Sequence, residues 1–461
     1  MYPAWGVYQT AIVLWLCVAL SITFSTLTAL QETHAKDSNV FKGDEFYGLL
    51  DGGAEGGRSV QMTADNDAHA ARRKVLNRSM PGREQTFRSL NQLAQEFAML
   101  ARSYSNDPKK AGKGIKHATV PIDINTICSW YSFDVISCVA FGKSLDMLQS
   151  AYYRWVPGCL LSMSIFLYWA GYAPCVRFWR WFLGSNLPSL LHMQTAIDAQ
   201  TYGRFAGEMV ATRTKRLREE GHASMKVDDI FQQLIEARLY NDFDLRADSS
   251  LLIAAGSDAV RLTIAATIFY WLKNPPIFDK AVEEIRSCVN SAEQITDSKL
   301  SSLRYLRACV DETMRLCPPK ASSLPREVLK GGITIDGVQV PEGMTVGTSI
   351  YALHHDPDIY PEPFVYKPDR WLLRPQDRRM QAAFCPFLKG PRMCPGQTVA
   401  YFAIELALFH LVHRYDLRAA DEKVKGGRHE NVPGREDQYQ FKDWILGYAE
   451  GPFIELKERC L

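Results

Sequence analysis

A single cysteine in a glycine- and proline-containing loop constrains this chain more than any other feature. Cys394 lies in the segment 387–396, which reads FLKGPRMCPG and directly precedes a long apolar pattern. One cysteine thiolate is a sufficient protein ligand for a haem iron. A helix that begins near Pro395 would direct its N-terminal N–H groups at the sulfur and favour the thiolate. The loop therefore predicts an axial metal ligand at the start of a long helix.

The neighbours of Cys394 suit a flat, anionic cofactor. Arg392 is expected to face a porphyrin propionate, and Phe387 is expected to pack on the ring. Gly390 and Gly396 would let the backbone pass close to the cofactor, where a Cβ would clash. The alternative interpretation is a buried structural cysteine at a helix start, which is the usual role of a lone cysteine.

The segment resembles the haem-binding loop of the cytochrome P-450 (haem-thiolate monooxygenase) family, Phe-x-x-Gly-x-Arg-x-Cys-x-Gly. All five fixed positions match, while Leu388 stands where the family usually has a small or polar residue. The resemblance covers roughly residues 40 to 461. It implies a mostly α fold with small β-sheets, the haem-thiolate fold, and haem b as the cofactor, with Cys394 on the iron.

Composition and cysteine usage agree with an ordinary intracellular globular chain. The 461 residues are 47% hydrophobic and 23% charged, and the net charge of +2 does not favour a nucleic-acid surface. The 11 cysteines are odd in number and scattered, and no Cys-x-x-Cys occurs. This pattern favours reduced thiols over a disulfide framework or a zinc site.

The N-terminal region contains an uncharged run. Residues 11–30 carry no charge, and Trp5 and Tyr8 precede them. That length predicts one membrane-spanning helix, so residues 1–35 are expected to be an anchor and 36–461 the catalytic domain. A cleaved signal peptide is the alternative. The family resemblance implies a single-pass anchor in the endoplasmic reticulum membrane with the catalytic domain in the cytosol.

The stretch between this run and the next predicted helix is short for the family. No proline occurs between Trp5 and Pro81, where family members carry a proline-rich hinge, an opening helix and the first strands. The sequence therefore predicts a shortened N-terminal region. Either the architecture is trimmed or the chain reflects an incomplete gene model, and the second case would allow a catalytically defective haem protein.

Residues 67–76 are predicted to be helical, with Asp65 or Asn66 as the N-cap. His69 and Arg73 are four residues apart and share one face. By resemblance, both reach the propionates, as does Arg326 from a later strand. The alternatives are a solvated basic face, or a surface on which neighbouring cations attract an acidic reductase.

Residues 244–273 predict one long apolar helix, which by resemblance crosses the haem on the oxygen side. Gly256 is expected to leave room for dioxygen, and Asp258 is expected to be the acid of the proton route. The family has Thr at the next position, and this chain has Ala259. Ser257 and Thr263 are the candidates to replace its hydroxyl.

Two further readings of Ala259 stay open. Ordered water or a substrate hydroxyl would deliver the proton, or the enzyme would catalyse a dehydration, rearrangement or coupling that inserts no oxygen. Arg261 is unusual in so apolar a helix, and its simplest role is an i,i+3 partner of Asp258, which would weaken Asp258 as an acid.

Three charged residues match a structural signature of the family. Glu312 and Arg315 are three apart in a predicted helix over 300–316, and Arg370 follows in the segment 361–371. Together they predict a buried network that holds the haem-loop scaffold. Its predicted role is structural and not catalytic.

Local patterns predict the remaining elements. Helices are predicted over 85–103, 122–141, 188–218 and 395–415, a β-hairpin over 331–341, and a terminal strand pair over 444–456 with a turn at 451–452. The aromatic-rich segment 153–181 is either packing and membrane-facing surface or a roof over the substrate.

Taken together, the resemblance implies a membrane-anchored monooxygenase of the fungal secondary-metabolism type. Its partners would be an NADPH-cytochrome reductase, O2 and a lipophilic small molecule, such as a terpenoid, polyketide or alkaloid intermediate.

Overall fold

A computed structural model describes most of the chain. The described residues are 21–50, 57–106, 120–172, 178–179, 181–182, 185, 187–220, 229–373, 377–420 and 435–459. Residues 1–20, which contain the first half of the uncharged run 11–30, lie outside them.

Helices form most of the described structure. In chain order they are α1 (Leu27–His34), α2 (Asp44–Leu50), α3 (Asn66–Ser79), α4 (Arg83–Ser105), α5 (Ile124–Phe141), α6 (Val156–Tyr172), α7 (Leu187–Leu190), α8 (Gln194–Glu220), α9 (Ile230–Glu236), α10 (Asp242–Lys273), α11 (Pro275–Cys288), α12 (Asp297–Ser302), α13 (Arg304–Leu316), α14 (Ile350–His354), α15 (Asp369–Leu373), α16 (Arg378–Ala383) and α17 (Gln397–Arg414).

The strands are short and form small sheets. They are β1 (Ser21–Phe24), β2 (Val40–Phe41), β3 (Ile122–Asp123), β4 (Arg326–Val328), β5 (Ile333–Ile335), β6 (Val338–Val340), β7 (Thr345–Thr348), β8 (Tyr415–Ala419), β9 (Lys442–Trp444), β10 (Leu446–Tyr448) and β11 (Phe453–Glu458). One sheet has the order β1-β7-β4-β2 and another the order β3-β11-β8, while β5-β6 and β9-β10 are hairpins. The prediction of a mostly helical fold with small sheets is confirmed.

The long helix α10 lies at the centre of the core. Asn241 caps it by accepting the backbone N–H of Asp244 at 2.8 Å, and it ends before Pro275. It packs along α5, and the Ile136 side chain occupies the space that a Cβ at Gly256 would need. Both helices are long and apolar enough to cross a membrane, but most of each apolar stretch is buried against the rest of the protein. They are therefore core helices.

The described half of the predicted anchor is not a membrane helix. Residues 21–24 form β1, which pairs in parallel with β7, with Ser21 opposite Thr345. Thr26 then caps α1 by accepting the N–H of Ala29. The prediction of one continuous helix over 11–30 is wrong from Ser21 onward, because the sheet satisfies this backbone. Residues 21–24 consequently belong to the same sheet as β7.

Other predicted elements differ in their limits. The predicted helix over 188–218 is interrupted between α7 and α8, and the one over 300–316 is divided between α12 and α13. The terminal strand pair is β9 with β10, whereas β11 pairs with β8 and β3 after the turn at Gly451-Pro452. The hairpin β5-β6 and the N-cap Asp65 are as predicted.

A buried carboxylate fixes the segment that leads to the cysteine loop. The fully buried Glu312 accepts hydrogen bonds from Arg315 Nη2 at 2.9 Å and from Arg370 Nε at 3.0 Å. It also accepts from the Trp371 indole and from the backbone N–H of Lys367, each at 3.0 Å. The predicted Glu312–Arg315–Arg370 network is present, with Trp371 as an additional member.

Replacing Glu312 with Gln is expected to destabilise the protein strongly. It would leave the buried guanidinium groups of Arg315 and Arg370 without a counter-charge, which costs roughly 3–5 kcal/mol. Chemical denaturation of the purified variant measures the loss of stability. The matched control is Glu84→Gln, which breaks an exposed pair with Arg88 and should change stability by less than about 0.5 kcal/mol. Equal stability of the two variants would contradict the structural role of Glu312.

Candidate active site

Backbone hydrogen bonds shape the Cys394 loop. The N–H of Cys394 donates to the Phe387 carbonyl at 2.8 Å, and the N–H of Met393 donates to the Gly390 carbonyl at 3.1 Å. Gly390 has φ +74°, and a Cβ there would collide with the carbonyl oxygen of His34. Gly390 is therefore required by contact with α1, which differs from the predicted reason of closeness to the cofactor. Leu388 has φ +63°, a conformation that small or polar residues adopt more easily.

The thiol of Cys394 lies at the start of α17 and has an exposed surface. The surrounding protein raises its pKa above the ordinary value through burial, while the N–H of Gly396 and the charge of Arg73 act in the opposite direction. The N–H of Gly396 at the helix start and the charge of Arg73 therefore both favour the thiolate. Phe387 contacts the Tyr401 ring, with 5.4 Å between their centroids.

Several cations converge on the space beside this loop. Arg73 and Arg392 act electrostatically on His69, as does Lys42, and Arg73 also acts on Cys394. We refer to these residues and their partners as the cation cluster, which consists of Lys42, Tyr47, His69, Arg73, Arg326 and Arg392. The structure brings together all four predicted propionate ligands, His69, Arg73, Arg326 and Arg392, and adds Lys42 and Tyr47.

Neutral oxygen atoms hold these cations. The Arg392 guanidinium donates to the carbonyls of Thr63 at 2.8 Å and Ala64 at 3.1 Å. Arg326 donates to the hydroxyl of Tyr47 at 2.8 Å, and its buried Nη2 has no partner. The ammonium of Lys42 donates to the Gln61 carbonyl at 2.8 Å. Among the described residues, no carboxylate forms an ion pair with any of these three cations.

The pKa values reflect this excess of positive charge. Burial and the neighbouring Arg392 lower the pKa of His69 to about 4, so this ring is neutral near pH 7. Burial and the charge of Arg326 lower the pKa of Arg392 to about 10, and burial with the same neighbour lowers that of Lys42 well below its ordinary value. Such a cluster favours a buried anion. The two propionates of haem fit it.

One face of α10 is open in the middle of the core. Ala255 is exposed and Ala259, one turn later, is half-buried, although the helix around them is mostly buried. A face of two small side chains at this spacing leaves room for a flat group and a small ligand. The prediction that Gly256 makes this room is wrong, because its missing side chain faces Ile136 of α5.

The polar residues near Ala259 are already engaged. Ser257 is buried and donates to the Ile253 carbonyl at 2.8 Å, and Thr263 donates to the Ala259 carbonyl at 2.8 Å. Asp258 pairs with Arg261, as predicted, and its other oxygen accepts the N–H of Gly447 at 2.5 Å. Thr263 is the one predicted substitute whose hydroxyl contacts residue 259.

Comparison with known proteins identifies the family. The cytochrome P450 family model matches residues 8–439. The chain belongs to this family. The match begins inside the predicted anchor, which agrees with the inclusion of β1 in the main fold. The enzyme is a P-450 monooxygenase with haem b as its cofactor.

Relatives and a solved structure support the same assignment. A cytochrome P450 monooxygenase of Penicillium oxalicum is 30% identical over 450 residues, covering 95% of this chain and 81% of that protein. One of Gibberella fujikuroi is 31% identical, covering 86% of this chain and 77% of that protein. The crystal structure of the cytochrome P450DA heme domain superposes with a TM-score of 0.73 at 16% identity, covering 95% of this chain and 88% of that one.

Sequence reasoning missed Lys42 and Tyr47. Lys42 follows β2 and Tyr47 lies in α2, and the fold brings both to the cluster although neither belongs to a motif. The ammonium of Lys42 also lies 4.5 Å from the Tyr47 ring centroid, and both side chains are buried. The sequence signal was weak, since one lysine beside an aromatic residue has no specific meaning.

Replacing Lys42 with Met is expected to have opposite effects on the free and loaded protein. Without haem it removes an uncompensated buried charge, so stability should be unchanged or higher. With haem it removes a charge-assisted bond to a carboxylate, so haem should be lost to excess apomyoglobin roughly tenfold faster. The control is the exposed Lys74→Met on α3. If the Lys42 variant lost haem at the wild-type rate, Lys42 would not bind a propionate.

Proposed function

We propose that this P-450 inserts one oxygen atom of O2 into a lipophilic secondary-metabolite intermediate, such as a terpenoid, polyketide or alkaloid precursor. Cys394 would be the axial ligand, and the cation cluster would hold the propionates. The single observation that carries the proposal is the exposed Cys394 at the start of α17 beside the buried cations Lys42 and Arg326, which form no ion pair with a carboxylate among the described residues. The named relatives are fungal monooxygenases, which supports the substrate class by analogy.

Each protein group would have a limited task. When bound, the haem iron supplies the oxidative chemistry, using electrons from an NADPH-cytochrome reductase and O2. Cys394 would bind the iron, while Arg326, Arg392 and Lys42 would fix the orientation of the porphyrin. The small side chains of Ala255 and Ala259 would leave space for O2 and substrate.

Labelled dioxygen tests this function. With the reductase, NADPH and a lipophilic substrate selected by its binding spectrum, the product should gain one 18O atom. The matched variant Cys394→Ser should lose the long-wavelength band of the reduced CO complex together with product formation, because an alkoxide replaces the electron-rich thiolate. Product without label would favour the dehydration, rearrangement or coupling reaction that Ala259 leaves open. A fully active Ser variant would contradict the role of Cys394.

We also propose that the protein binds a membrane through an aromatic surface. Large apolar side chains are exposed along the region of α6 to α8, where Trp169 is 65% exposed, Trp181 60% and Leu191 65%. Exposed apolar patches of this kind mark interaction sites, and Trp is favoured at the membrane–water boundary. Because a lipophilic substrate concentrates in the bilayer, a lipid surface is the occupant that fits this region best.

Replacing Trp169, Trp181 and Leu191 with Ser should reduce the fraction of protein that floats with phosphatidylcholine vesicles, because less apolar area is buried in the bilayer. The control variant replaces Phe364 and Leu373, which are 50% and 76% exposed outside this region. It should float like the wild type. Equal flotation of the two variants would contradict the assignment.

A further inference from the structure

The hairpin β9-β10 is fastened to α10 by two oppositely charged residues. Asp258 accepts the backbone N–H of Gly447 at 2.5 Å through one oxygen and the Arg261 guanidinium through the other. Arg261 also donates to the Gly447 carbonyl and, at 2.8 Å, to the side chain of Asn125 at the start of α5. Both polar groups of residue 447 are therefore bound by one salt-bridged pair.

The attachment of the hairpin to α10 is largely buried, and the strand and the helix are in close contact. The side chains of Asp258 and Arg261 are 12% and 11% exposed. A Cβ at Gly447 would lie 2.7 Å from Leu262 Cδ2, so the strand runs directly against the helix. Hydrogen bonds to charged groups contribute more than neutral ones when they are shielded from water.

The other strand of the hairpin has its own attachment. Asp443 pairs with Lys320 at 2.9 Å and accepts the N–H groups of Ala321 at 3.1 Å and Ser322 at 2.8 Å. The hairpin is thus attached on one strand to α10 and on the other strand to the segment that follows α13. It lies beside the turn of α10 that carries Ala255 and Ala259.

We infer that Asp258 and Arg261 are positioning residues, which set the shape of the substrate space by fixing the hairpin β9-β10 over it, and that Asp258 is not the acid of a proton route. Both carboxylate oxygens already face N–H donors, so an added proton would displace one of these bonds. The role of the hairpin toward substrate rests on the proposed function.

Two inhibitors of different size test the inference on the haem-loaded enzyme. Imidazole needs little space, whereas clotrimazole fills the cavity, and both report binding by a shift of the haem absorption band. In Asp258→Ala the hairpin loses the acceptor of the Gly447 N–H. The Kd of clotrimazole should rise roughly tenfold, the equivalent of one lost charged hydrogen bond, while that of imidazole stays within about twofold.

A charge-free double variant provides the matched control. In Asp258→Asn with Arg261→Met, the Asn amide offers an acceptor to the Gly447 N–H and a donor to its carbonyl, and no buried charge remains. It should bind clotrimazole within about threefold of the wild type, because the hairpin stays attached without an acid. Hydrogen exchange at the Gly447 amide should accelerate in Asp258→Ala and stay slow in the double variant.

The inference is overturned if Asp258→Ala keeps both its clotrimazole affinity and the slow exchange at Gly447. It is also overturned if the double variant weakens clotrimazole as much as Asp258→Ala does, since the carboxylate itself would then be required. If the wild type shows no azole-dependent spectrum, the proposed function fails, and the exchange rates alone still decide whether Asp258 holds the hairpin.

Discussion

The site depends on a concentration of cations that form no ion pair with a carboxylate among the described residues. Lys42, Arg326 and Arg392 are held by carbonyl and hydroxyl oxygens, and no described carboxylate pairs with them. Their mutual repulsion opposes folding, and a bound anion would reduce it. Binding of a dianionic porphyrin and stability of this region are therefore linked, because the ligand stabilises the state that it binds.

The arginines of the Glu312 network, unlike those of the cation cluster, are paired with a carboxylate of the chain. There the guanidinium groups of Arg315 and Arg370 share one buried carboxylate, and all partners come from the chain itself. Such a self-contained network needs no ligand and keeps one geometry, so it suits a scaffold. The contrast separates two kinds of arginine: those around Glu312 complete the fold, and those of the cation cluster are the ones that we propose bind the cofactor.

Features set by local spacing could be predicted from the sequence, whereas those set by distant contacts could not. His69 and Arg73 share a face because a helix places residues four apart together, and the Glu312–Arg315 spacing works in the same way. Gly256 was assigned to the cofactor because nothing in its neighbourhood reveals Ile136, which lies on another helix. The contact of Gly390 with the carbonyl of His34 could not be predicted for the same reason.

The N-terminal strand shows a second limit of sequence reasoning. An uncharged run of twenty residues satisfies the length criterion for a membrane helix, yet its described part, from residue 21 to 30, is a partly buried strand followed by the start of a helix. What decides between them is whether a partner strand satisfies the backbone, and β7 is more than three hundred residues away.

The contacts around Ala259 restrict how a proton can reach the open face of α10. Ser257 and Thr263 donate to carbonyls of their own helix, and Asp258 is bound to the hairpin and to Arg261. The side chain at 259 is a methyl group, so this stretch offers no unengaged acid beside the open face. In a reaction that inserts oxygen, water or a polar group of the substrate would then supply the proton. A hairpin that fixes the orientation of the substrate would thereby also control proton supply, which makes substrate selection and turnover depend on the same contact.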